Sequence, residues 1–243
     1  MNEQTKIGIG MTSARTRERL IDRLKAEGVR DTAVLDRIRA VPRHWFVDEA
    51  LASRAYEDTA LPIGFGQTIS QPYVVALMTQ ALVQGYEGKK IPKVLEIGTG
   101  CGYQTAVLAP FAQHVYSVER IQPLVQRARA KLAELKISNV SLRHADGWQG
   151  WKSQAPFQGI LVAAAPERVP PELVEQLDDG GRMIIPIGAK GRQTLLRVTR
   201  RGEEIVEEDL LAVSFVPLVE ACCEPCPFDP PVPPKGLLPE ACW

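Results

Sequence analysis

The chain has 243 residues, 45% of them hydrophobic and 24% charged, a composition typical of a globular protein with its own core. Its 29 basic and 29 acidic residues cancel, so net charge offers no attraction for nucleic acid or an anionic membrane. No signal-like segment and no membrane-spanning apolar run is seen, and an odd number of cysteines favours reduced thiols. We therefore expect a cytoplasmic monomer that binds neither nucleic acid nor membrane.

The N-terminal third of the chain is predicted to begin with helices and to continue as irregular structure. Apolar residues at helical spacing predict two helices within residues 12–41, and Pro42 stops the second one. Residues 43–69 are rich in turn formers and are predicted to form a shaped loop region. Ser70 is predicted to be the N-cap of a third helix, which runs to about Gln84.

Short apolar strands then alternate with amphipathic helices. The strands are predicted at residues 94–97, 114–118, 140–143, 159–163, 182–186, 194–199 and 210–216, and the helices at 103–111, 122–135 and 172–177. This alternation predicts an α/β fold with a mostly parallel sheet and helices on both faces. Ligands of such sheets bind at the carboxyl ends of the strands.

Three segments are predicted along the chain. Residues 1–90 should form N-terminal helices and a lid for substrate and cofactor, and residues 91–219 should form the core sheet. Residues 220–243 contain seven prolines, which exclude a regular helix or a central strand. This tail is predicted to be extended or disordered.

A glycine-rich loop follows the first strand of the sheet and carries the strongest chemical signal. Gly98, Gly100 and Gly102 alternate with Thr99 and Cys101, so the backbone can turn sharply and approach a ligand closely. The third glycine comes one residue earlier than in the dinucleotide-binding pattern, which favours S-adenosylmethionine over a nicotinamide cofactor. Taken alone, the glycines are also consistent with a simple tight turn.

Acidic residues on the first three strands add to this signal. Glu119 ends the second strand and can accept hydrogen bonds from both ribose hydroxyls; the alternative is an exposed glutamate paired with Arg120. Asp146 can accept from an adenine amino group while Gly147 leaves space for the ring; the alternative is an ordinary Asp-Gly turn. Glu96 is predicted to orient the methionine end of the cofactor through water, or else to cap loop amides.

Several stretches resemble the protein-L-isoaspartate (D-aspartate) O-methyltransferase family, within roughly residues 12–219. They are residues 41–47, 55–64, 66–72, 94–104, 146–151, 163–166, 180–182 and 215–218. The specific stretch is Gly-Gln-Thr-Ile-Ser-Gln-Pro at residues 66–72, because many methyltransferases share the glycine loop. The resemblance implies a Rossmann-like S-adenosylmethionine-dependent methyltransferase fold with an N-terminal helical extension.

The resemblance also implies roles for individual residues. Ser70 is implied to be the catalytic or substrate-positioning residue. The cofactor site is implied to include, beside the residues named above, Ile63, Gly64, Phe65, Gly66, Thr68 and Arg120. The substrate site is implied to contain Ile69, Ser70, Val216, Pro217 and Leu218.

The activity that the resemblance implies is methyl transfer from S-adenosylmethionine to the α-carboxylate of L-isoaspartyl, and possibly D-aspartyl, residues in damaged proteins. The ester would initiate repair through a succinimide. The spacing of the three histidines matches no zinc motif. Cys222, Cys223 and Cys226 could bind a soft metal, but no fourth ligand is obvious, so no metal is expected. The alternative readings are a methyltransferase acting on a small molecule or RNA, and a non-catalytic binder of the same cofactor.

Overall fold

The computed structural model describes residues 10–219. The predicted proline-rich tail, residues 220–243, lies outside the described residues. The division of the chain near residue 90 stays a prediction, and the parts on either side of it share one large hydrophobic core.

The two predicted N-terminal helices are confirmed. Helix α1 covers Ala14–Ala26 and helix α2 covers Thr32–Ala40. The apolar positions that predicted α1 and α2 are buried, as Leu24 and Ile38 illustrate, because each helix turns one apolar stripe towards the protein. The Asp31 side chain accepts a hydrogen bond from the Val34 amide and so caps α2.

Residues 43–69 are more regular than predicted. After two short 3-10 helices, an antiparallel hairpin forms from strand β1, Leu61–Gly64, and strand β2, Gln67–Ile69. The prediction of a wholly irregular segment was wrong. The strands are only four and three residues long, so they were missed in the sequence. Pro62 also argued against a strand, although proline is tolerated in the short edge strands of such a hairpin.

The turn of this hairpin has an unusual backbone. Phe65 and Gly66 have φ angles of 55° and 68°, and the preceding Gly64 has 91°. Positive φ at both central residues is what a two-residue hairpin turn of type I′ requires. Phenylalanine rarely adopts such an angle, so the surrounding structure must hold the turn in place.

Helix α3 covers Pro72–Val83, and the predicted start and end of this helix are confirmed to within about one residue. The prediction that Ser70 is its N-cap was wrong, because the N-cap is Gln71 and no side chain there caps the helix. Asp58 satisfies the helix start instead: its Oδ1 accepts from the Tyr73 amide and its Oδ2 from the Gln71 side chain, both at 2.8 Å.

The predicted sheet is confirmed. Its strands are β3 Ile91–Ile97, β4 Ala112–Glu119, β5 Val140–His144, β6 Phe157–Val162, β7 Leu177–Ile187, β8 Gln193–Arg201 and β9 Glu204–Val213. They lie in the order β5-β4-β3-β6-β7-β8-β9. The first five in this order run parallel, and β8 and β9 are each antiparallel to the preceding strand. Strand β9 ends at Val213, so its prediction at residues 210–216 was placed too far along the chain.

Helices cover both faces of the sheet, although unequally. The connecting helices are α4 Tyr103–Leu108, α5 Gln122–Glu134 and α6 Pro171–Glu175. The larger core contains buried residues of α1 to α5, and a smaller core on the other face contains Leu173 of α6. Because β3, β4 and β6 are parallel neighbours, their carboxyl ends meet at one edge of the sheet. None of the helices within residues 10–219 has the length and apolarity to span a bilayer.

Candidate active site

A cleft of about 300 Å³ opens at the carboxyl ends of β3, β4 and β6, and we call it the main cleft. The hairpin β1–β2 forms one of its sides. Fourteen of the predicted site residues line the main cleft: Gly66, Thr68, Ile69, Ser70, Gly98, Thr99, Gly100, Cys101, Glu119, Arg120, Gly147, Val216, Pro217 and Leu218. The structure therefore brings together residues that are as much as 152 positions apart in the chain.

The six other predicted residues do not line the main cleft. They are Ile63, Gly64, Phe65, Glu96, Gly102 and Asp146. Two of them have local structural contacts: Gly102 is the N-cap of α4, and Asp146 Oδ1 accepts a hydrogen bond from the Trp148 amide at 3.0 Å. The predicted cofactor roles of these six residues stay predictions.

The glycine loop after β3 adopts a backbone that other residues would strain. Gly98, Gly100 and Gly102 have φ angles of 89°, 55° and 89°. The loop is held against β4, because the Gly98 amide donates to the Val118 carbonyl at 2.8 Å. A Cβ on Gly102 would lie 3.2 Å from the Ala128 Cβ, so this glycine also permits α4 to pack against α5. The positive φ angles and the close packing of the backbone explain why glycine occupies these three positions.

Glu119 presents an oriented carboxylate to the main cleft. It is 6% exposed, and its two oxygens accept hydrogen bonds from the Gly100 amide at 2.8 Å and the Ile121 amide at 3.0 Å. Burial raises the pKa of this carboxyl, while the bonds from these amides act in the opposite direction. Each oxygen keeps a second acceptor position for a ligand. The alternative of an exposed glutamate at this position is wrong.

Gly147 lies where no side chain could fit. A Cβ on this residue would come within 2.6 Å of Ile97 Cγ2 and 3.2 Å of Leu218 Cδ1. The backbone at Gly147 therefore packs directly against Ile97 at the end of β3 and against Leu218, which lines the main cleft. This close approach explains the glycine by packing within the protein, and the prediction that Gly147 leaves space for an adenine ring stays a prediction.

Glu96 lies behind the glycine loop instead of in the main cleft. It is fully buried, and its Oε2 accepts hydrogen bonds from the Thr105 and Ser117 hydroxyls, both at 2.5 Å. Ser117 in turn shares a hydrogen bond of 2.6 Å with the Thr99 hydroxyl. Glu96 thus supports the loop from beneath through Ser117 and Thr99.

Burial raises the pKa of Glu96 from its ordinary value of 4.5 to about 7. Between these values the folded protein binds more protons than the unfolded chain, so the contribution of Glu96 to the free energy of unfolding declines as pH rises. We expect a loss of about 3 kcal/mol between pH 4.5 and pH 8 in the wild type. The Glu96→Gln variant, whose amide cannot ionise, should lack this decline in urea denaturation measured across that pH range.

Glu175→Gln is the matched control for Glu96→Gln, because Glu175 is exposed on α6. This control should follow the wild-type pH dependence. A constant difference in unfolding free energy between wild type and Glu96→Gln at all pH values would contradict the assignment of the titration to Glu96.

A second cleft, which we call the side cleft, adjoins the main cleft and has a volume of about 500 Å³. Four residues line both clefts: Thr68, Ser70, Ala163 and Val216. The remainder of the side cleft is formed by Thr59, Ala60, Gln71, Val74 and residues 211–215. The Ser70 hydroxyl has no hydrogen-bond partner among residues 10–219, so it is available to a ligand where the two clefts meet.

Several lining residues were missed by sequence reasoning. They are Gln67, Val75, Ile97, Tyr103, Gln104, Val118, Ile121, Ala163, Ala164 and Val219. Ala163 directly follows β6, so the rule that ligands bind at strand ends could have found it. Tyr103 and Gln104 lie at the start of α4, where apolar spacing does not distinguish a cleft from a core.

One residue outside both clefts was also missed, because its contacts are tertiary. The Gln193 side chain accepts from the Phe215 amide at 2.6 Å and donates to the Phe215 carbonyl at 3.2 Å. In the same segment, Pro217 pairs with Ala165 through an isolated parallel β-bridge. Together these contacts hold the segment from Phe215 to Leu218 against both clefts.

Among residues 10–219, no group of three histidine, cysteine or acidic side chains could hold a metal ion. The main cleft is lined by the glycine loop, by the oriented carboxylate at the end of β4 and by Gly147 after β5. On a sheet with this strand order, these features define the class of Rossmann-like methyltransferases.

Comparison with known proteins identifies the family. The model of the protein-L-isoaspartate(D-aspartate) O-methyltransferase family matches residues 15–222, and the chain belongs to this family. The protein-L-isoaspartate O-methyltransferase of Halorhodospira halophila is 55% identical over 221 residues, which cover 90% of this chain and 99% of that protein. Protein-L-isoaspartate O-methyltransferase 1 of Nitrosococcus oceani is 59% identical over 214 residues, or 87% of this chain and 99% of that protein.

A solved structure agrees with this assignment. The β-aspartate methyltransferase of Plasmodium falciparum, in complex with S-adenosyl-L-homocysteine, superimposes with a TM-score of 0.74 at 28% sequence identity. The match covers 84% of this chain and 99% of that one. The resemblance and the fold class inferred from the sequence are thereby confirmed.

Proposed function

We propose that this protein transfers a methyl group from S-adenosylmethionine to the free α-carboxylate of L-isoaspartyl residues in damaged proteins. Membership of the family and the close relatives of that name support this activity. An isoaspartyl peptide, and not a small molecule or RNA, is the acceptor that we propose. D-aspartyl residues are a second acceptor, as the family description implies.

The observation that carries the proposal is the junction of the two clefts. A methyltransferase that acts on peptides needs one site for the methyl donor and an adjoining site for the peptide that accepts the methyl group. The main cleft and the side cleft meet at a common wall that contains Thr68, Ser70, Ala163 and Val216. The side cleft continues along the end of β9 and the segment after it, which gives space for residues flanking the acceptor.

The residues of the main cleft fit S-adenosylmethionine. Glu119 would accept hydrogen bonds from the ribose hydroxyls, because both of its oxygens are oriented by backbone amides and keep acceptor positions. Gly147 lines the main cleft after β5 and would let the adenine ring lie against its backbone. Gly98 to Gly102 would let the methionine part approach the backbone closely.

The reaction requires little acid–base chemistry from the protein. Bound S-adenosylmethionine supplies a methyl group on a positively charged sulfur, which an anionic oxygen can attack directly. The acceptor α-carboxyl has a reference pKa of about 3.3–3.7 and is therefore ionised at neutral pH without a general base. What remains for the protein is to hold the carboxylate in line and to exclude water.

Ser70 holds the carboxylate in this proposal by donating a hydrogen bond from its hydroxyl at the junction of the clefts. The Cys101 thiol, which also lines the main cleft, does not compete for the methyl group. Burial raises the pKa of Cys101 to about 11, so at neutral pH the thiol stays protonated and is a poor nucleophile. The methyl ester then leaves the protein and closes to a succinimide, as the following backbone amide nitrogen attacks the ester carbonyl and methanol departs. Hydrolysis of the succinimide returns part of the damaged sites to normal aspartate.

We further propose that the protein acts as a monomer in the cytoplasm. Among the side chains that the structure describes, Val219 is the large hydrophobic one that is exposed, which offers little apolar surface for a second copy. The balanced charge offers no attraction for nucleic acid, and five cysteines, an odd number, favour a reducing compartment.

The test uses two synthetic peptides that differ only in aspartate or isoaspartate at one position. With methyl-labelled S-adenosylmethionine, we expect base-labile label on the isoaspartyl peptide and background label on the aspartyl peptide. The reason is that the acceptor must present a carboxylate attached directly to the backbone. Equal labelling of both peptides, or none, would overturn the proposed function.

A further inference from the structure

Arg43 is a buried charge that the proposed reaction does not yet use. Its side chain is 0% exposed and is among the largest fully buried side chains within residues 10–219. In that part of the chain its hydrogen-bond partners are backbone carbonyls and not carboxylates. Burying a guanidinium that forms no ion pair is costly, although the negative charge of Asp58 offsets part of this cost, so a role confined to filling the core would be met better by an apolar residue.

The three carbonyls that Arg43 contacts lie around the hairpin β1–β2. The guanidinium donates to the Ala55 carbonyl at 2.8 Å, the Thr59 carbonyl at 3.1 Å and the Ser70 carbonyl at 2.8 Å. Thr59 precedes the hairpin and Ser70 follows it directly. One planar group therefore closes the base of the hairpin and holds the residue at the junction of the two clefts.

The face of the same guanidinium lies over the ring of Tyr103, with a distance of 5.1 Å from Cζ to the ring centroid. Tyr103 follows the glycine loop directly, lines the main cleft and is itself 1% exposed. Arg43 thus contacts the acceptor side of the junction through Ser70 and the donor side through Tyr103. A fixed distance between these two sides is what in-line methyl transfer requires.

We propose that Arg43 is a positioning residue that fixes Ser70 relative to the glycine loop by joining the hairpin base to Tyr103. This inference rests on the proposed function for its catalytic consequence, while its structural part can be tested without any activity. Lysine at this position would keep the charge, but its donors share one nitrogen and cannot span three carbonyls.

The kinetic test compares Arg43→Lys and Arg43→Met with wild type, using the isoaspartyl peptide as acceptor. We expect kcat to fall roughly tenfold in Arg43→Lys and further in Arg43→Met, because misplacement of Ser70 acts on the transfer step. The Kd for S-adenosylhomocysteine, measured by calorimetry, should change less than about threefold, because Glu119 and the glycine loop are retained. The control is Arg54→Lys, since Arg54 is exposed and pairs with Glu57.

Amide hydrogen exchange provides a readout independent of activity. In both Arg43 variants, amides of residues 61–71 should exchange about tenfold faster, while those of β3 remain unchanged. Unchanged kcat with unchanged exchange would overturn the inference, and so would an even rise of exchange throughout the protein, which indicates a general core role. A wild-type protein that fails to methylate the peptide would instead overturn the proposed function, and hydrogen exchange would still decide the role of Arg43.

Discussion

Replacing Glu119 with alanine is expected to weaken binding of S-adenosylhomocysteine by on the order of 100-fold or more, because two hydrogen bonds to a charged group contribute about 1.5–3 kcal/mol each. The carboxylate is held rigidly by the Gly100 and Ile121 amides, so no reorientation is needed when the ribose binds. Titration calorimetry gives the affinity directly. Glu119→Gln should also bind weakly, since its amide group would face one of these backbone donors.

Glu175→Ala is the control for this loss, because Glu175 is an exposed glutamate on α6 and lies outside both clefts. Thermal denaturation should be measured for each variant, since removing Glu119 also leaves two backbone amides without their acceptor. An unchanged Kd in a folded Glu119→Ala protein would show that the ribose is bound elsewhere.

Replacing Ser70 with alanine is expected to lower kcat for the isoaspartyl peptide roughly 30- to 100-fold, as removal of a hydrogen bond to a charged group predicts. The affinity for S-adenosylhomocysteine should stay near that of wild type. Stability should also change little, because the Ser70 hydroxyl has no hydrogen-bond partner among the described residues and Gln71 is the N-cap of α3. Steady-state kinetics over a range of peptide concentrations separates kcat from KM.

Ser153→Ala is a suitable control, because Ser153 is exposed in a short 3-10 helix away from both clefts. Full turnover in a folded Ser70→Ala protein would contradict the assigned role. A large loss of cofactor affinity in that variant would place Ser70 in the donor site instead of at the acceptor carboxylate.

Local sequence patterns were sufficient to predict the helices and strands, because each of these elements is formed by consecutive residues. The apolar spacing within residues 12–41 predicted α1 and α2, because a helix buries one stripe of its own sequence. The apolar runs of the sheet predicted all seven strands, and the central strands β3 and β6 read as largely continuous hydrophobic sequence because they are buried on both faces. The glycine loop could be interpreted because positive φ angles at Gly98, Gly100 and Gly102 favour glycine at these three positions.

Tertiary structure decided the features that depend on residues far apart in the chain. Ser70 was predicted as a helix cap because nothing in its local sequence shows that Asp58 takes this role. Glu96 precedes the glycine loop in sequence, yet the alternation of β3 turns its carboxylate towards Ser117 and away from the main cleft.

The sequence by itself therefore determined the class of fold, the glycine loop and the family, because each depends on residues that are neighbours in the chain or on short patterns. Only the tertiary structure decided that two clefts meet at Ser70 and that Arg43 joins the hairpin to Tyr103. The physical reason is that burial and hydrogen bonding at these positions depend on partners 12 to 146 residues away, whose approach is set by packing.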